Sequence, residues 1–218
     1  KVTVVEYMPR MMPLEDEEVS KTMERAFRKL RAAVMTSTTV KSVRVNAEGR
    51  CEVETEGKKG PETLTADIVL SAVGIKSNIE GIGLEELGIA VERDKVLVDR
   101  FYRTNVPGVY AIGDVIGPRR IMLAHMAVAE AHTAVHNILH PEDRKAQRYD
   151  VVPSAIFTAP EIGDVGLSEA QAKQQGFAVK TSVFQFRELG KAQAMSELPG
   201  MFKIVSDGAT GKVLGVHI

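Results

Sequence analysis

Thr104–Asp114 reads T-N-V-P-G-V-Y-A-I-G-D, a cluster of turn formers followed by a short apolar run. The apolar run Val109–Ile112 is too short for a helix, so the pattern predicts a turn that leads into a buried strand. That strand ends at Asp114, and an aspartate just past a strand in an open α/β sheet lies where such sheets bind ligands. Its carboxylate accepts hydrogen bonds from sugar-like hydroxyls. The alternative is that Gly113 and Asp114 form only an ordinary strand-ending turn.

The residues from Ile121 to about Leu139 are apolar on nearly every helical face, which predicts a helix buried on several sides. We expect its first turn to direct unpaired N–H groups at the crevice beside Asp114, where the helix dipole favours an electron-rich ligand. The intervening loop carries Arg119 and Arg120, which we interpret as an exposed basic loop.

Composition limits the possible functions. The 218 residues hold 28 Lys and Arg against 29 Asp and Glu, and this near-zero net charge gives no support to a nucleic-acid partner or an anionic membrane surface. No apolar run approaches the ~20 residues that cross a bilayer, so we expect no membrane association and a cytoplasmic location. The single cysteine, Cys51, excludes an internal disulfide and a cysteine-based metal cluster, and we interpret it as a plain strand side chain.

Two strand-like segments end in residues typical of nucleotide sites. Lys1–Glu6 is a β-branched run that ends in an acid, as in the second strand of a dinucleotide-binding unit. There the carboxylate accepts hydrogen bonds from ribose hydroxyls and repels a 2′-phosphate, so Glu6 favours NAD over NADP; the alternative is a solvated strand end. Asp67–Gly74 predicts a further, largely apolar strand that ends in glycine.

The acidic run Glu15–Glu18 precedes an amphipathic pattern, so we interpret it as a helix start rather than a metal site. Met8, Met11 and Met12 are predicted to be core or surface filler. His132, His136 and His140 share one helical face, but no carboxylate is in register with them, so we predict no metal site.

Beyond Tyr149 the sequence predicts antiparallel strands with one helix. The helix begins at a capping box, Ser168–Gln171, and ends before Gly176. The last strand ends with the chain, and we expect the sheet to have an unfinished edge that a partner should cover.

The sequence resembles the pyridine nucleotide-disulfide oxidoreductases. Their second flavin motif is T-x-x-P-x-x-Y-A-x-G-D, and Met122–His125 is similar to the form found in the dihydrolipoyl dehydrogenase branch. A third block, Val152–Gly166, resembles the start of the family's interface domain. The residues that match the flavin motif are Thr104, Pro107, Tyr110, Ala111, Gly113 and Asp114.

This resemblance implies FAD and NAD as cofactors. Asp114 would bind the ribityl hydroxyls of the flavin, and backbone groups of Met122, Leu123, Ala124 and His125 would contact the flavin edge. His125 is equally consistent with a histidine satisfied by a backbone carbonyl. Glu6, Val40 and Gly74 would lie along the NAD site. After Gly74 this chain has Ile75–Asn78 where the family has Arg-x-Pro-Asn, which removes a bidentate contact.

The resemblance also implies an α/β architecture in three parts. They are a partial Rossmann-like NAD domain (residues 1–78), a central FAD-binding segment (79–148) and an incomplete α+β dimerisation domain (149–218). The family's redox cysteine pair and its His-Glu acid/base pair match no residues here, so we expect a fragment with no catalytic residue of its own. The expected whole enzyme is a homodimer that acts on the lipoyl domain of a 2-oxoacid dehydrogenase or glycine cleavage complex. The alternatives are a mercuric or soluble pyridine nucleotide reductase, or a non-catalytic scaffold piece.

Overall fold

The computed structural model describes residues 1–117 and 121–218 and divides into two compact units. The first unit joins Lys1–Ser71 to Pro153–Ile218, and the second unit is Ala72–Val152. Arg119 and Arg120 lie outside the described residues, so the interpretation of the basic loop stays a prediction. The combination of helices with parallel and antiparallel strands confirms the predicted α/β class.

The first unit begins with two parallel strands joined by a helix. Strand β1 (Thr3–Val5) pairs with β2 (Ala33–Met35), and helix α1 (Glu17–Lys29) connects them. The predicted strand before Glu6 is therefore confirmed, and a parallel pair joined through a helix is the crossover unit of α/β sheets. An antiparallel three-stranded sheet follows, made of β3 (Thr39–Val45), β4 (Cys51–Gly57) and β5 (Gly60–Ala66).

Helix α1 begins where the acidic run predicts. The side chain of Asp16 accepts a 3.0 Å hydrogen bond from the backbone N–H of Glu18 and so caps the helix. Acids occupy the first turn and Arg28 and Lys29 the last, which complements the helix dipole. The apolar face buries Val19 and Met23.

The C-terminal part of the first unit is a five-stranded antiparallel sheet in the order β11-β12-β13-β10-β9. The predicted capping box is confirmed: the Ser168 hydroxyl accepts from the N–H of Gln171, whose side chain accepts from the N–H of Ser168. The elements are β9 (Ser154–Ile156), β10 (Ile162–Gly166), α3 (Glu169–Gln174), β11 (Val179–Gln185), α4 (Gly190–Met195), β12 (Met201–Asp207) and β13 (Val213–His217).

One apolar cluster ties the two chain segments of the first unit together. Met11, Val19 and Met23 from the N-terminal segment pack with Ile162 and Met201 from the sheet. Met11 is thus core filler, as the sequence predicts.

The second unit contains three short strands, a 3₁₀ turn and one long helix. Strand β7 (Lys95–Leu97) pairs antiparallel with β6 (Val91–Glu92) and parallel with β8 (Ile116–Gly117). The 3₁₀ turn (Gly113–Val115) precedes β8, and α2 (Ala124–Leu139) follows the undescribed loop. Tyr102, Ile116 and Ala134 form the buried core of this unit.

The structure corrects three predictions. Val109–Ile112 is not a regular strand: only Tyr110 forms a β-bridge, with Arg103, because the segment lacks a continuous partner among the described strands. Asp67–Gly74 is also not a strand, and Leu70 and Val73 are 88% and 95% exposed. Paired strands need hydrogen-bonding neighbours, and the described residues offer this segment none.

The third correction concerns α2, which is buried on one face rather than several. Met126, Glu130, Ala134 and Asn137 form the buried face. Val128, Val135 and Ile138 are at least half exposed, so the described residues leave an apolar face of α2 uncovered. None of the helices within the described residues is both long and apolar enough to cross a membrane.

Candidate functional site

The Gly113-Asp114 turn is held in a backbone conformation that requires glycine. Gly113 has φ +75°, a region that L residues rarely adopt, and an added Cβ would lie 3.3 Å from the Cβ of Ala127 in α2. The close approach packs the turn against the N-terminal half of α2. Asp114 follows in the 3₁₀ turn, with its side chain exposed.

A buried carboxylate fixes this turn. Glu130, which is only 1% exposed, accepts a 2.7 Å hydrogen bond from the N–H of Gly113. Its other oxygen accepts a 2.5 Å hydrogen bond from the hydroxyl of Tyr149, which also bonds the Tyr102 hydroxyl at 2.9 Å. Burial, together with the bonds to Glu130 and Tyr102, raises the pKa of Tyr149 above its usual value. Tyr149 therefore remains a neutral donor to Glu130 throughout the physiological range.

Lys95 connects the turn to the segment before α2. Its ammonium donates hydrogen bonds to the backbone carbonyl of Asp114 at 2.8 Å and to the hydroxyl of Ser77 at 2.5 Å, and lies 3.5 Å from the sulfur of Met122. The Ser77 hydroxyl also donates to the Asp114 carbonyl, at 3.1 Å. Two hydrogen bonds thus hold the backbone carbonyl of Asp114, while its carboxylate has no hydrogen-bond partner among the described residues.

The start of α2 offers two backbone donors. Leu123 occupies the N-cap position but supplies no side-chain cap, and the N–H groups of Ala124 and His125 have no partner in the described parts of the chain. Free N–H groups at a helix start carry the positive end of the helix dipole. Together with the free Asp114 carboxylate, they form an acceptor and a donor set on neighbouring elements of one unit.

This site is an open surface. Asp114, Met122, Ala124 and His125 are all exposed, so the described residues do not enclose the predicted crevice beside Asp114. A separate cleft of about 520 Å³ lies along residues 103–108, and Asp114 is not among its lining residues.

Two of the predicted NAD residues, Glu6 and Val40, belong to the first unit. Glu6 follows β1, and one of its carboxylate oxygens accepts a 2.7 Å hydrogen bond from the N–H of Met8. The backbone carbonyl of Glu6 accepts from the N–H of Thr38, two residues before Val40 in β3. Val40 is 44% exposed. Glu6 therefore lies at the carboxyl end of β1, where its backbone is bonded to Thr38, and Val40 follows two residues later at the start of β3.

Gly74 belongs to the second unit, in the extended exposed segment before Ser77. It has φ +123°, and an added Cβ would have no atom within 4 Å. The backbone angle alone therefore requires glycine here, and the cofactor role of Gly74 stays a prediction.

Sequence reasoning missed two residues that position this site, Glu130 and Lys95. Glu130 is a lone acid on an otherwise apolar helix, and that pattern is itself a signal, because a buried carboxylate needs hydrogen-bond donors. Lys95 gives no such signal, since a lysine beside an exposed turn is ordinary in sequence.

Comparison with known proteins identifies relatives over the whole chain. The family model described as pyridine nucleotide-disulphide oxidoreductase matches residues 1–131, and the dimerisation-domain model of the same family matches residues 152–218. Dihydrolipoyl dehydrogenases of Chlorobaculum tepidum and Rhizobium etli are each 40% identical over 219 and 223 residues, covering 100% of this chain. The chain covers 46% and 45% of these two relatives, and so spans about half of their length.

Solved structures agree on the fold. The crystal structure of LpdA from Mycobacterium tuberculosis matches with a TM-score of 0.85 at 29% identity, over 99% of this chain and 46% of that one. The HOCl-induced flavoprotein disulfide reductase RclA of Escherichia coli matches with a TM-score of 0.86 over 100% of this chain and 49% of that one. Its 24% identity supports the common fold alone.

Proposed function

The chain belongs to the pyridine nucleotide-disulphide oxidoreductase family, and from this premise we propose that it is the central-to-C-terminal part of an FAD-dependent dihydrolipoyl dehydrogenase. The complete enzyme would reoxidise protein-bound dihydrolipoamide with NAD as the electron acceptor. The observation that supports this reaction most strongly is the 40% identity to dihydrolipoyl dehydrogenases along the whole chain.

The free groups of the second unit fit a flavin nucleotide. The exposed carboxylate of Asp114 is available to accept hydrogen bonds from ribityl hydroxyls, and the N–H groups of Ala124 and His125 are available to an electron-rich ring edge. Met122 and Leu123 lead into that helix start. When bound, FAD supplies the two-electron carrier between dithiol and nicotinamide.

The residues of this chain would position the cofactors. Glu130 holds the N–H of Gly113, and Lys95 holds the carbonyl of Asp114, so the carboxylate is presented on a fixed backbone. In the first unit, one oxygen of Glu6 is bonded to the N–H of Met8, which leaves the other free for ribose hydroxyls. Its negative charge would disfavour a 2′-phosphate, which favours NAD over NADP. Val40, in the same unit, is a second proposed NAD contact, and the proposed NAD role of Gly74 rests on the family resemblance alone.

The proposal extends to partners, domains and location. We assign residues 1–78 to the NAD domain, 79–148 to the FAD segment and 149–218 to a dimerisation domain that serves a homodimer. Cys51 is the only cysteine, so the redox cysteine pair would come from another part of the enzyme. The acid/base pair, which the family resemblance matches to no residue of this chain, would also come from elsewhere. The proposed partner is a lipoyl domain, and the proposed location is cytoplasmic.

A direct assay tests the function. The protein encoded by the full reading frame should form NADH from dihydrolipoamide and NAD, followed at 340 nm, with little activity when NADP replaces NAD. Reduction of mercuric ion, or transfer between NADH and NADP, without dihydrolipoamide activity would instead identify another flavoprotein disulfide reductase. Absence of all three activities would favour a non-catalytic scaffold.

A further inference from the structure

Glu15, Asp164 and His217, none of which is assigned to FAD or NAD, meet in the first unit. Asp164 in β10 lies directly opposite His217 in β13, and Glu15 comes from the segment that leads into α1. One potential ligand atom of each residue lies within 4.8 Å of those of the other two. The sequence interpretation of Glu15–Glu18 as a helix start rather than a metal site could not include this cluster, because Glu15 is far from Asp164 and His217 along the chain.

The ring of His217 is oriented as a ligand. Its Nε2 lies 3.1 Å from the backbone carbonyl of Leu167, and since a carbonyl only accepts, Nε2 must carry the hydrogen and donate. In the neutral ring Nδ1 is then an unprotonated acceptor. Metal-bound histidines are commonly held by this kind of hydrogen bond from the second ring nitrogen to a carbonyl.

Two buried acceptors in the cluster lack partners. His217 is only 2% exposed, and its Nδ1 has no hydrogen-bond partner among the described residues. The same is true of Oδ1 of Asp164. Buried acceptors without a hydrogen-bond partner are destabilising, and a bound cation would satisfy both of these atoms.

The ammonium of Lys203, which lies on the strand beside His217, is already committed to other carboxylates. Lys203 lies opposite His217 in β12, but its Nζ bonds Asp16 at 2.9 Å and Glu169 at 2.7 Å and lies 3.4 Å from Glu18. The three carboxylates carry more negative charge than the single positive charge of Lys203 can neutralise. The surroundings of the cluster therefore remain favourable to a cation.

We propose that Glu15, Asp164 and His217 form a binding site for a divalent transition-metal cation, with Zn²⁺ as the best match. Two carboxylate oxygens and one imidazole nitrogen are a ligand set that zinc accepts, and the fourth position would be open to water. Magnesium and calcium prefer oxygen ligands alone, which makes them poorer matches. A bound cation would tie the segment before α1 to strands β10 and β13.

Zinc titration of the purified 218-residue chain tests this site. The chain is first treated with EDTA, then titrated with ZnCl₂ in a calorimeter, and its zinc content is measured by mass spectrometry after gel filtration. We expect one zinc per chain. Asp164→Asn and His217→Gln should each weaken binding about tenfold or more. His140→Gln is the control, since His140 is exposed at the end of α2, and should leave the affinity unchanged.

A second measurement guards against misfolded variants. Co²⁺ in place of Zn²⁺ should give visible absorption bands of a low-coordinate site in the wild type, and Asp164→Asn should lose them while its far-ultraviolet circular dichroism stays unchanged. The proposal is overturned if the wild type binds no zinc. It is also overturned if Asp164→Asn and His217→Gln, both folded, bind zinc as well as the wild type does, or if His140→Gln alone abolishes binding.

Discussion

The N–H of Gly113 donates a 2.7 Å hydrogen bond to the buried carboxylate of Glu130, so a helix side chain fixes the turn that presents Asp114. The same carboxylate is held from its other side by Tyr149. A buried carboxylate that accepts from two donors is a strong constraint, because losing it leaves the Gly113 N–H without its acceptor and removes one hydrogen bond of the Tyr149 hydroxyl.

Replacing this carboxylate should destabilise the chain. Glu130→Ala leaves the Gly113 N–H and the Tyr149 hydroxyl without their acceptor, so we expect the free energy of unfolding to fall by about 2–4 kcal/mol. Urea denaturation followed by circular dichroism measures this. The matched control is Glu142→Ala, an exposed glutamate, which should change stability by less than about 0.5 kcal/mol. Equal effects of the two substitutions would contradict the positioning role of Glu130.

Gly117 leaves the space that Lys95 needs. A Cβ at Gly117 would lie 2.5 Å from both Cβ and Cγ of Lys95, atoms too close to the backbone to move away freely. Gly117→Ala should therefore cost about 1–3 kcal/mol of stability, measured by thermal unfolding. Gly190→Ala is the control, since an added Cβ there meets no atom within 4 Å, and it should be neutral or slightly stabilising. A neutral Gly117→Ala would show that Lys95 is not packed as described.

The 218-residue chain alone should retain little or no FAD. One charge-assisted hydrogen bond from Asp114 contributes roughly 1.5–3 kcal/mol, whereas micromolar affinity needs about 8 kcal/mol. Gel filtration after mixing with FAD, monitored at 450 nm, measures retention. A yellow protein peak would show that the chain binds the flavin through more contacts than those proposed.

The titration of Glu15 should lower the free energy of unfolding as the pH rises. Burial, and next the nearby Asp164, raise the pKa of Glu15 from 4.5 to about 7, with Asp16 adding to the effect. Because the pKa of Glu15 is raised in the folded state, its protonated carboxyl favours the folded state fully below pH 4.5. That contribution to the free energy of unfolding is lost as the pH rises through 7. Lys203 and His217 also face this region. Both residues are present in the wild type and in Glu15→Gln, so the comparison of these two proteins isolates Glu15.

The substitution Glu15→Gln removes that titration. In the presence of EDTA, wild type should lose roughly 1–2 kcal/mol relative to Glu15→Gln between pH 4.5 and 7, after discounting for solvent screening of a partly exposed group. Urea denaturation at both pH values gives the difference. Parallel stability curves for the two proteins would contradict the assignment of this pH dependence to Glu15.

Local signals predicted local structure well. Asp16 and Ser168 cap helices that the sequence places correctly, because a cap involves residues only two or three positions apart. The prediction of a strand before Glu6 is also confirmed. Asp67–Gly74 shows the limit of such signals: its apolar pattern is that of a strand, but a strand forms only against a neighbour, and the described residues provide none.

Contacts between distant residues could not be predicted from pattern. Glu130 and Gly113 are separated by an undescribed loop, and Glu15 meets Asp164 and His217 only after the two chain segments of the first unit pack together. The number of buried faces of α2 likewise depends on which neighbours are present. The predicted flavin contact of Asp114 rests on the family motif. The structure adds that Lys95 and Glu130 hold the backbone of this turn in place.

The affinity of the protein from the full reading frame for FAD tests the central claim most directly. Apo-protein is titrated with FAD, and quenching of flavin fluorescence gives the dissociation constant for wild type, Asp114→Asn and the exposed control Asp143→Asn. We predict that Asp114→Asn binds FAD about 10- to 100-fold more weakly, the equivalent of one lost charge-assisted hydrogen bond, and that Asp143→Asn binds like wild type. Unchanged affinity in a folded Asp114→Asn protein would contradict the assignment of this turn to the flavin site.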